Sequence, residues 1–254
     1  MQMRNIAIIL AGGTGSRMGG GVPKQLLPLA DGQTILEHSV AAFEQAECID
    51  EIGIVMHPDY IARAEEMPLR NGWHKVTFII GGGKERRESS INAVRKIEQQ
   101  MEKFDEGATI CGQSVNVLLH DAARPFVSQR IISDVCEALK QHEAVTVAIP
   151  ATDTMYTIDG DFVRDIPARS TLMCAQTPQA FRLDVIARAY ALAQQDPTEQ
   201  STDDCGVVRR YLPDTPIYIV QGESANRKIT YMEDMEAFGG NEEIKSVAED
   251  RKDC

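Results

Sequence analysis

Short apolar runs and amphipathic stretches alternate along this chain. Residues 5–10, 51–56, 76–80, 116–120, 144–149 and 217–220 are runs of strand length, rich in isoleucine, valine and leucine. Such runs, bounded by turn residues, read as buried strands. The stretches between them carry apolar residues at helical spacing, as in 33–45 with Ile35, Leu36, Val40 and Phe43. The same spacing predicts helices over 60–69, 86–101, 129–140, 182–193 and 202–211, and a last one from 232. Strands alternating with helices predict an α/β fold, a mostly parallel sheet covered on both faces with right-handed crossovers.

The pattern breaks over 152–173. Here alternating residues flank Asp159-Gly160, a pair that suits a tight hairpin turn. An arm leaving an α/β core needs cover. The spacing allows a hairpin packed on its own domain and equally an arm that meets a second copy. Residues 239–254 are polar and read as a frayed tail. The expected organisation is one domain over 1–238, arm included, followed by that tail.

Composition narrows the function. The chain has 254 residues, 43% of them apolar and 25% charged, with a net charge of −12. That length supports a core without staples, and the apolar share is too high for disorder. The acidic balance speaks against nucleic acid. No apolar run approaches the roughly 20 residues of a membrane span, and the first one is too short for a signal peptide. The six cysteines form no CxxC pair, so they read as reduced thiols of a cytoplasmic protein. Cys174 and Cys205 read as small apolar core groups, Trp73-His74 as packing, and His120 as a packed residue at a strand end.

The chemistry gathers at glycine-rich turns. Leu10-Ala11-Gly12-Gly13-Thr14-Gly15-Ser16-Arg17 follows the first strand directly. In a parallel sheet that is the carboxyl edge, where ligands bind. Glycines let backbone N–H groups approach phosphate oxygens. The dinucleotide fingerprint fails because Met18 stands where its third glycine belongs. The P-loop fails because Lys24 is followed by Gln25. What remains is a glycine loop with two cations, Arg17 and Lys24, suited to a polyphosphate.

LAGGTGSRMG, VPKQLLPL, IIGGGKERRESS, LLHDAARPFV, CAQTPQAF, STDDC and GESANRKIT follow one another in this order. Together they resemble the polyol-phosphate cytidylyltransferase family over residues 5–238. The resemblance implies a Rossmann-like fold of the nucleotide-diphospho-sugar transferase type with a protruding hairpin arm. It also implies transfer of CMP from CTP to a polyol phosphate, with release of pyrophosphate and with Mg²⁺. Glu223, Thr202-Asp203-Asp204-Cys205 and Asp165-Ile166-Pro167 favour D-ribitol 5-phosphate as acceptor. His120-Asp121-Ala122-Ala123-Arg124 points to the alternative, 2-C-methyl-D-erythritol 4-phosphate. A dehydrogenase is disfavoured by the broken fingerprint. A non-catalytic module of the same fold would not need both phosphate clamps.

Residue roles follow from the same resemblance. Arg17 and Lys24 match the cations on the α-phosphate and pyrophosphate, while Arg169 and Lys228 match those on the acceptor phosphate. Leu10 to Gly15, Gly82, Gly83, Arg86, Ser89 and Asp121 match the CTP site, with Asp121 also the metal partner. Arg124, Thr177 and Thr202 match positions near the acceptor. Arg169 lies at the end of the arm, and the family implies a homodimer in which the arm carries it to the other copy. Both reactants are polyanions, so neutralisation and alignment should dominate catalysis.

Overall fold

The computed structural model describes residues 3–13, 22–104 and 115–237. Among them a seven-stranded sheet forms from β1 (Arg4–Ala11), β2 (Glu51–Met56), β3 (Val76–Gly81), β4 (Val115–Asp121), β5 (Ala144–Pro150), β8 (Met173–Arg182) and β9 (Ile217–Gln221). Its order is β3-β2-β1-β4-β8-β5-β9. Two short strands, β6 (Thr157–Asp159) and β7 (Phe162–Asp165), pair only with each other.

β1 shows why both faces are covered. Ala7, Ile9 and Ala11 enter one apolar cluster, and Ile6, Ile8 and Leu10 the other. Successive strand side chains point to opposite faces, so a run apolar at every position needs helices on both sides. On the first face pack α1 (Ile35–Glu44), the short helices α2 (Ile61–Glu65) and α3 (Met67–Asn71), and α5 (Gln129–Ala138). On the second pack α4 (Arg86–Phe104), α6 (Leu183–Ala193) and α7 (Asp204–Tyr211). A last helix, α8 (Met232–Ala237), joins a small cluster with Leu29, Ile35 and Ile229. Thr34 and Glu37 close a reciprocal capping box that starts α1.

The expected helix over 60–69 is two helices. Pro68 stands in the first turn of α3, where a residue without an N–H starts a helix rather than continuing one. The larger departure is β8, ten residues antiparallel to β4 and β5 in the middle of the sheet. Periodicity misses it because it is polar and holds a proline. Pro178 falls where the pairing with β5 shifts register, between Ala180 opposite Val145 and Gln176 opposite Val147. A register irregularity is where a missing ladder donor is tolerated.

The hairpin β6–β7 does not pack on its own domain, because residues 152–166 are all exposed. Ile158, Phe162, Val163 and Ile166 are 70%, 79%, 54% and 56% exposed. Cys205 is buried, but Cys174, expected in the core, is exposed near the arm. Trp73 packs against the first cluster, as its reading as a packing residue required. No helix of the described residues is long and apolar enough to cross a membrane. The tail over 239–254 lies outside the described residues.

Candidate active site

β1, β3 and β4 run parallel, so their carboxyl ends meet at one edge. A cavity of about 330 Å³ opens there. Leu10, Ala11, Gly12 and Gly13 line it from the β1 end, Gly83 to Arg86 and Ser89 from the β3–α4 turn, and Asp121 to Ala123 from the β4 end. Lys24, Gln25, Lys228 and Thr230 complete the wall. Segments far apart in sequence are thus brought to one pocket, and most of the expected nucleotide residues lie on it. Thr14, Gly15 and Arg17 lie outside the described residues.

The glycine turns touch each other. A Cβ on Gly82 would stand 3.1 Å from the Gly12 Cα and 2.9 Å from the Ser89 Oγ. Gly82 therefore packs beneath the cavity rather than lining it. Ser89 is buried; its hydroxyl accepts from the Gly83 N–H at 3.1 Å and donates to the Glu85 carbonyl at 3.2 Å. It holds the second turn from behind. Gln25, which motif matching passes over, is 3% exposed, and its amide donates to the carbonyls of Ala11 and Gly13. That contact pins the start of the glycine loop to the short 3₁₀ turn carrying Lys24.

Asp121 is the electrostatic centre. Its Oδ1 accepts from the Arg86 Nε at 2.8 Å and its Oδ2 from the Lys228 Nζ at 2.7 Å. Burial alone would raise its pKa, but the two cations outweigh burial and hold the carboxyl well below its usual range. Lys24 also lines the cavity and donates to the Ile229 carbonyl at 2.6 Å, next to Lys228 in sequence. This contact ties the turn carrying Lys24 to the loop carrying Lys228.

Behind Asp121 runs a chain of hydrogen bonds. The Asp121 N–H donates to the Thr177 Oγ1 at 3.1 Å, and that hydroxyl lies 3.0 Å from the His120 Nδ1. The His120 Nε2 lies 3.0 Å from the Arg124 carbonyl. A carbonyl can only accept, so Nε2 carries the proton and Nδ1 accepts from Thr177. Burial pushes the His120 pKa down to about 4, against the hydrogen bond to Arg124 and the Asp121 charge, which raise it. A neutral, fully buried ring is a packing and hydrogen-bonding residue, as expected, and it stacks at a tilt on Phe43 at 4.9 Å.

Four expected acceptor residues stand elsewhere than on this wall. Thr177 is buried and its hydroxyl is spent on Asp121 and His120, so it supports the site rather than facing it. The Arg124 guanidinium donates to the carbonyls of Asn226 at 2.8 Å and Ala175 at 3.3 Å; it ties the Lys228 loop to β8. Thr202 lines a second hollow of about 310 Å³ on the other side of Arg86, with Glu199, Asp203 and Asp204. Arg169 sits at the base of the arm, bonded to the Thr152 carbonyl at 3.0 Å, and does not line its own chain's cavity. Glu223, one of the residues favouring ribitol, accepts from the Ser128 hydroxyl and the Arg130 Nε, both at 2.9 Å, outside the cavity.

The residues missed by motif matching are mostly amides and a second carboxylate. Gln176 accepts from the Glu223 N–H at 3.3 Å and donates to its carbonyl at 2.8 Å. Gln179 accepts from the N–H groups of Asp204 and Cys205 at 3.0 and 3.1 Å. Asn226, fully buried, donates to the Thr177 carbonyl at 2.9 Å. Buried polar groups need partners. The signal available was their place inside the segments CAQTPQAF, STDDC and GESANRKIT.

The family model for 2-C-methyl-D-erythritol 4-phosphate cytidylyltransferase, IspD, matches residues 5–238. A relative of that name from Thermobifida fusca is 46% identical over 91% of this chain and 90% of its own. A Haemophilus influenzae protein, bifunctional ribulose 5-phosphate reductase/CDP-ribitol pyrophosphorylase Bcs1, is 39% identical over 89% of this chain and 46% of its own length. The crystal structure of 4-diphosphocytidyl-2C-methyl-D-erythritol synthase from Anaerococcus prevotii superposes with a TM-score of 0.77 at 27% identity, covering 93% of this chain and 95% of that one. The Francisella tularensis 2-C-methyl-D-erythritol 4-phosphate cytidylyltransferase gives 0.72 at 26% identity, covering 92% and 97%. A glycine-lined cavity with Lys24 on its wall and Arg86 and Lys228 on an ionised aspartate suits a polyphosphate, and with these matches the chain belongs to the IspD family of nucleotidyltransferases and is a CTP-dependent cytidylyltransferase.

Proposed function

We propose that this enzyme transfers CMP from CTP to 2-C-methyl-D-erythritol 4-phosphate, releasing pyrophosphate. The observation that carries this acceptor is the full-length match to a relative of that name, 46% identical over 91% of the chain. It reverses the preference for ribitol 5-phosphate drawn from Glu223, Asp165 and their neighbours. The contacts of Glu223 give a physical reason: its carboxylate is bound to Ser128 and Arg130, outside the cavity. Asp165 is exposed on the arm. Neither residue faces an acceptor from within its own chain.

In the proposed reaction an oxygen of the acceptor phosphate attacks the α-phosphorus of CTP in line, and pyrophosphate leaves. The glycine turns offer backbone N–H groups to the triphosphate. Lys24 neutralises the charge that builds on the leaving pyrophosphate, together with Arg17 of the glycine loop. Lys228 serves the acceptor phosphate. The acceptor arrives as an anion, so no general base is needed, which agrees with a neutral and buried His120. The fixed charges of Asp121 and the two lysines keep the pocket preorganised. Charge set in place before the reaction is usually the largest single contribution to transition-state stabilisation.

The donor set suits a magnesium ion that enters with the triphosphate. Magnesium takes one or two protein carboxylates and fills its shell with phosphate and water. Asp121 is ionised, and Glu85 is the other carboxylate on the wall among the described residues. Among the described residues no group of three or more His, Cys, Asp or Glu could cage a metal. When bound, the ion would neutralise phosphate charge.

The exposed apolar arm supports a homodimer, with Arg169 acting on the partner's acceptor. The test of the acceptor is pyrophosphate release from CTP and Mg²⁺ with each polyol phosphate separately. The expected result is a kcat/KM at least about 100-fold higher for methylerythritol phosphate. Release with ribitol 5-phosphate at equal or greater efficiency would return the chain to the second acceptor.

A further inference from the structure

Arg86 lines the nucleotide cavity, yet its donors point at carboxylates. Its Nε donates to the Asp121 Oδ1 at 2.8 Å and its Nη1 to the Asp204 Oδ2 at 2.7 Å. We propose that Asp204 is a positioning residue for cytidylyl transfer, backed by Tyr190: together they fix Arg86 as a strut that holds Asp121 at the cavity.

Asp204 opens α7 and is 1% exposed. Its second oxygen accepts from the Tyr190 hydroxyl at 2.7 Å, and Tyr190 is 2% exposed on α6. The backbone N–H of Asp204 is itself held by Gln179 of β8 at 3.0 Å. The carboxylate is therefore anchored before Arg86 reaches it. The resulting line, Tyr190–Asp204–Arg86–Asp121–Lys228, joins α6, α7, α4, the end of β4 and the Lys228 loop.

A buried ion pair is weak as a stabiliser, since an apolar pair of similar volume does as well. It is strong as a positioner, because guanidinium is a rigid planar fork that two carboxylates can lock in one plane. Without Asp204, the Arg86 side chain would be tethered to Asp121 alone and would turn with it when a triphosphate repels that carboxylate. Supporting this, burial and the Asp204 charge hold the Tyr190 phenol well above its usual range, so it remains a donor. Burial would lower the Arg86 pKa, but the two carboxylates raise it, so the strut stays charged.

A double-mutant cycle on the whole enzyme tests this, with kcat/KM read by pyrophosphate release. Asp204→Asn should cost about 10-fold in the wild-type background and less than about twofold in an Arg86→Gln background, because coupled residues are not additive. Tyr190→Phe removes one hydroxyl and keeps the ring; it should cost about 3-fold alone and nothing measurable with Arg86→Gln. It carries the cycle by itself if Asp204→Asn does not fold. Equal fold-losses in both backgrounds would assign Asp204 to the stability of α7 and overturn the proposal, as would wild-type kcat/KM in both single variants. The proposal rests on the cytidylyl transfer but every value is a ratio to wild type, so a wrong acceptor shows as an inactive wild type and not as an additive cycle.

Discussion

At the scale of single residues, function turns on which charges face substrate and which are already spent on the protein. His120 is the sharpest case. It stands beside Asp121 in a motif rich in charge, yet it is neutral, with both nitrogens bonded. Its pKa is depressed to about 4 in the folded chain, below the ordinary histidine value of 6.5. The unfolded chain thus binds the extra proton first as pH falls. The stability contributed by a neutral His120 is full above the unfolded value and is lost on acidification toward the folded value. The expected loss from this residue is about 2 kcal/mol between pH 7 and pH 5, a window above the ordinary carboxylate range. Urea unfolding at the two pH values measures it. In His120→Gln the difference should shrink by that amount; an unchanged difference would mean that the ring is not the group responsible.

At the scale of elements, the site is made by three parallel strand ends and one antiparallel intruder. The parallel part was legible. Runs of isoleucine, valine and leucine in 5–10, 51–56 and 116–120 placed β1, β2 and β4 within a residue or so, and the glycines after β1 and β3 marked the carboxyl edge. β8 was not legible, because Gln176, Thr177 and Gln179 look like loop residues and Pro178 argues against a strand. Those same polar residues are the ones that brace Asp121, Asp204 and the Lys228 loop. The strand is polar because its side chains bond neighbouring backbone, and that defeats an apolar-period reading. Packing at this scale also yields a prediction for the two glycine turns. In Gly82→Ala the added methyl would meet the Gly12 Cα at 3.1 Å and the Ser89 Oγ at 2.9 Å. Overpacking costs roughly 1–3 kcal/mol. If about 1.4 kcal/mol of that falls on the nucleotide-bound state, CTP binds about tenfold more weakly. Calorimetric titration with CTP reads this directly, and wild-type affinity would show that the turns need not touch.

At the scale of the whole molecule, the net charge of −12 and the basic pocket coexist without conflict. Small anions answer to the local field of Lys24 and Lys228, and only extended polyanions answer to the body. The arm is the other whole-molecule feature. Sequence spacing leaves its role open between self-packing and pairing. Its exposed Ile158, Phe162, Val163 and Ile166 remove the first option and support the second. If Arg169 serves the partner's cavity, two inactive variants should rescue each other. A heterodimer of Lys24→Ala and Arg169→Ala chains keeps one intact site, made of Lys24 from one copy and Arg169 from the other. Random mixing after unfolding and refolding should then restore about a quarter of wild-type turnover per chain. Absence of any rescue in mixed dimers would place Arg169 in its own chain's site.

Whether this cavity joins CTP to methylerythritol phosphate is decided by competition between the two acceptors. The enzyme is given CTP, Mg²⁺ and equal concentrations of 2-C-methyl-D-erythritol 4-phosphate and D-ribitol 5-phosphate, and the products are weighed by mass spectrometry. The ratio of products is the ratio of kcat/KM values. The expected product is almost only the cytidine diphosphate derivative of methylerythritol; a mixture dominated by the ribitol derivative would overturn the proposed acceptor.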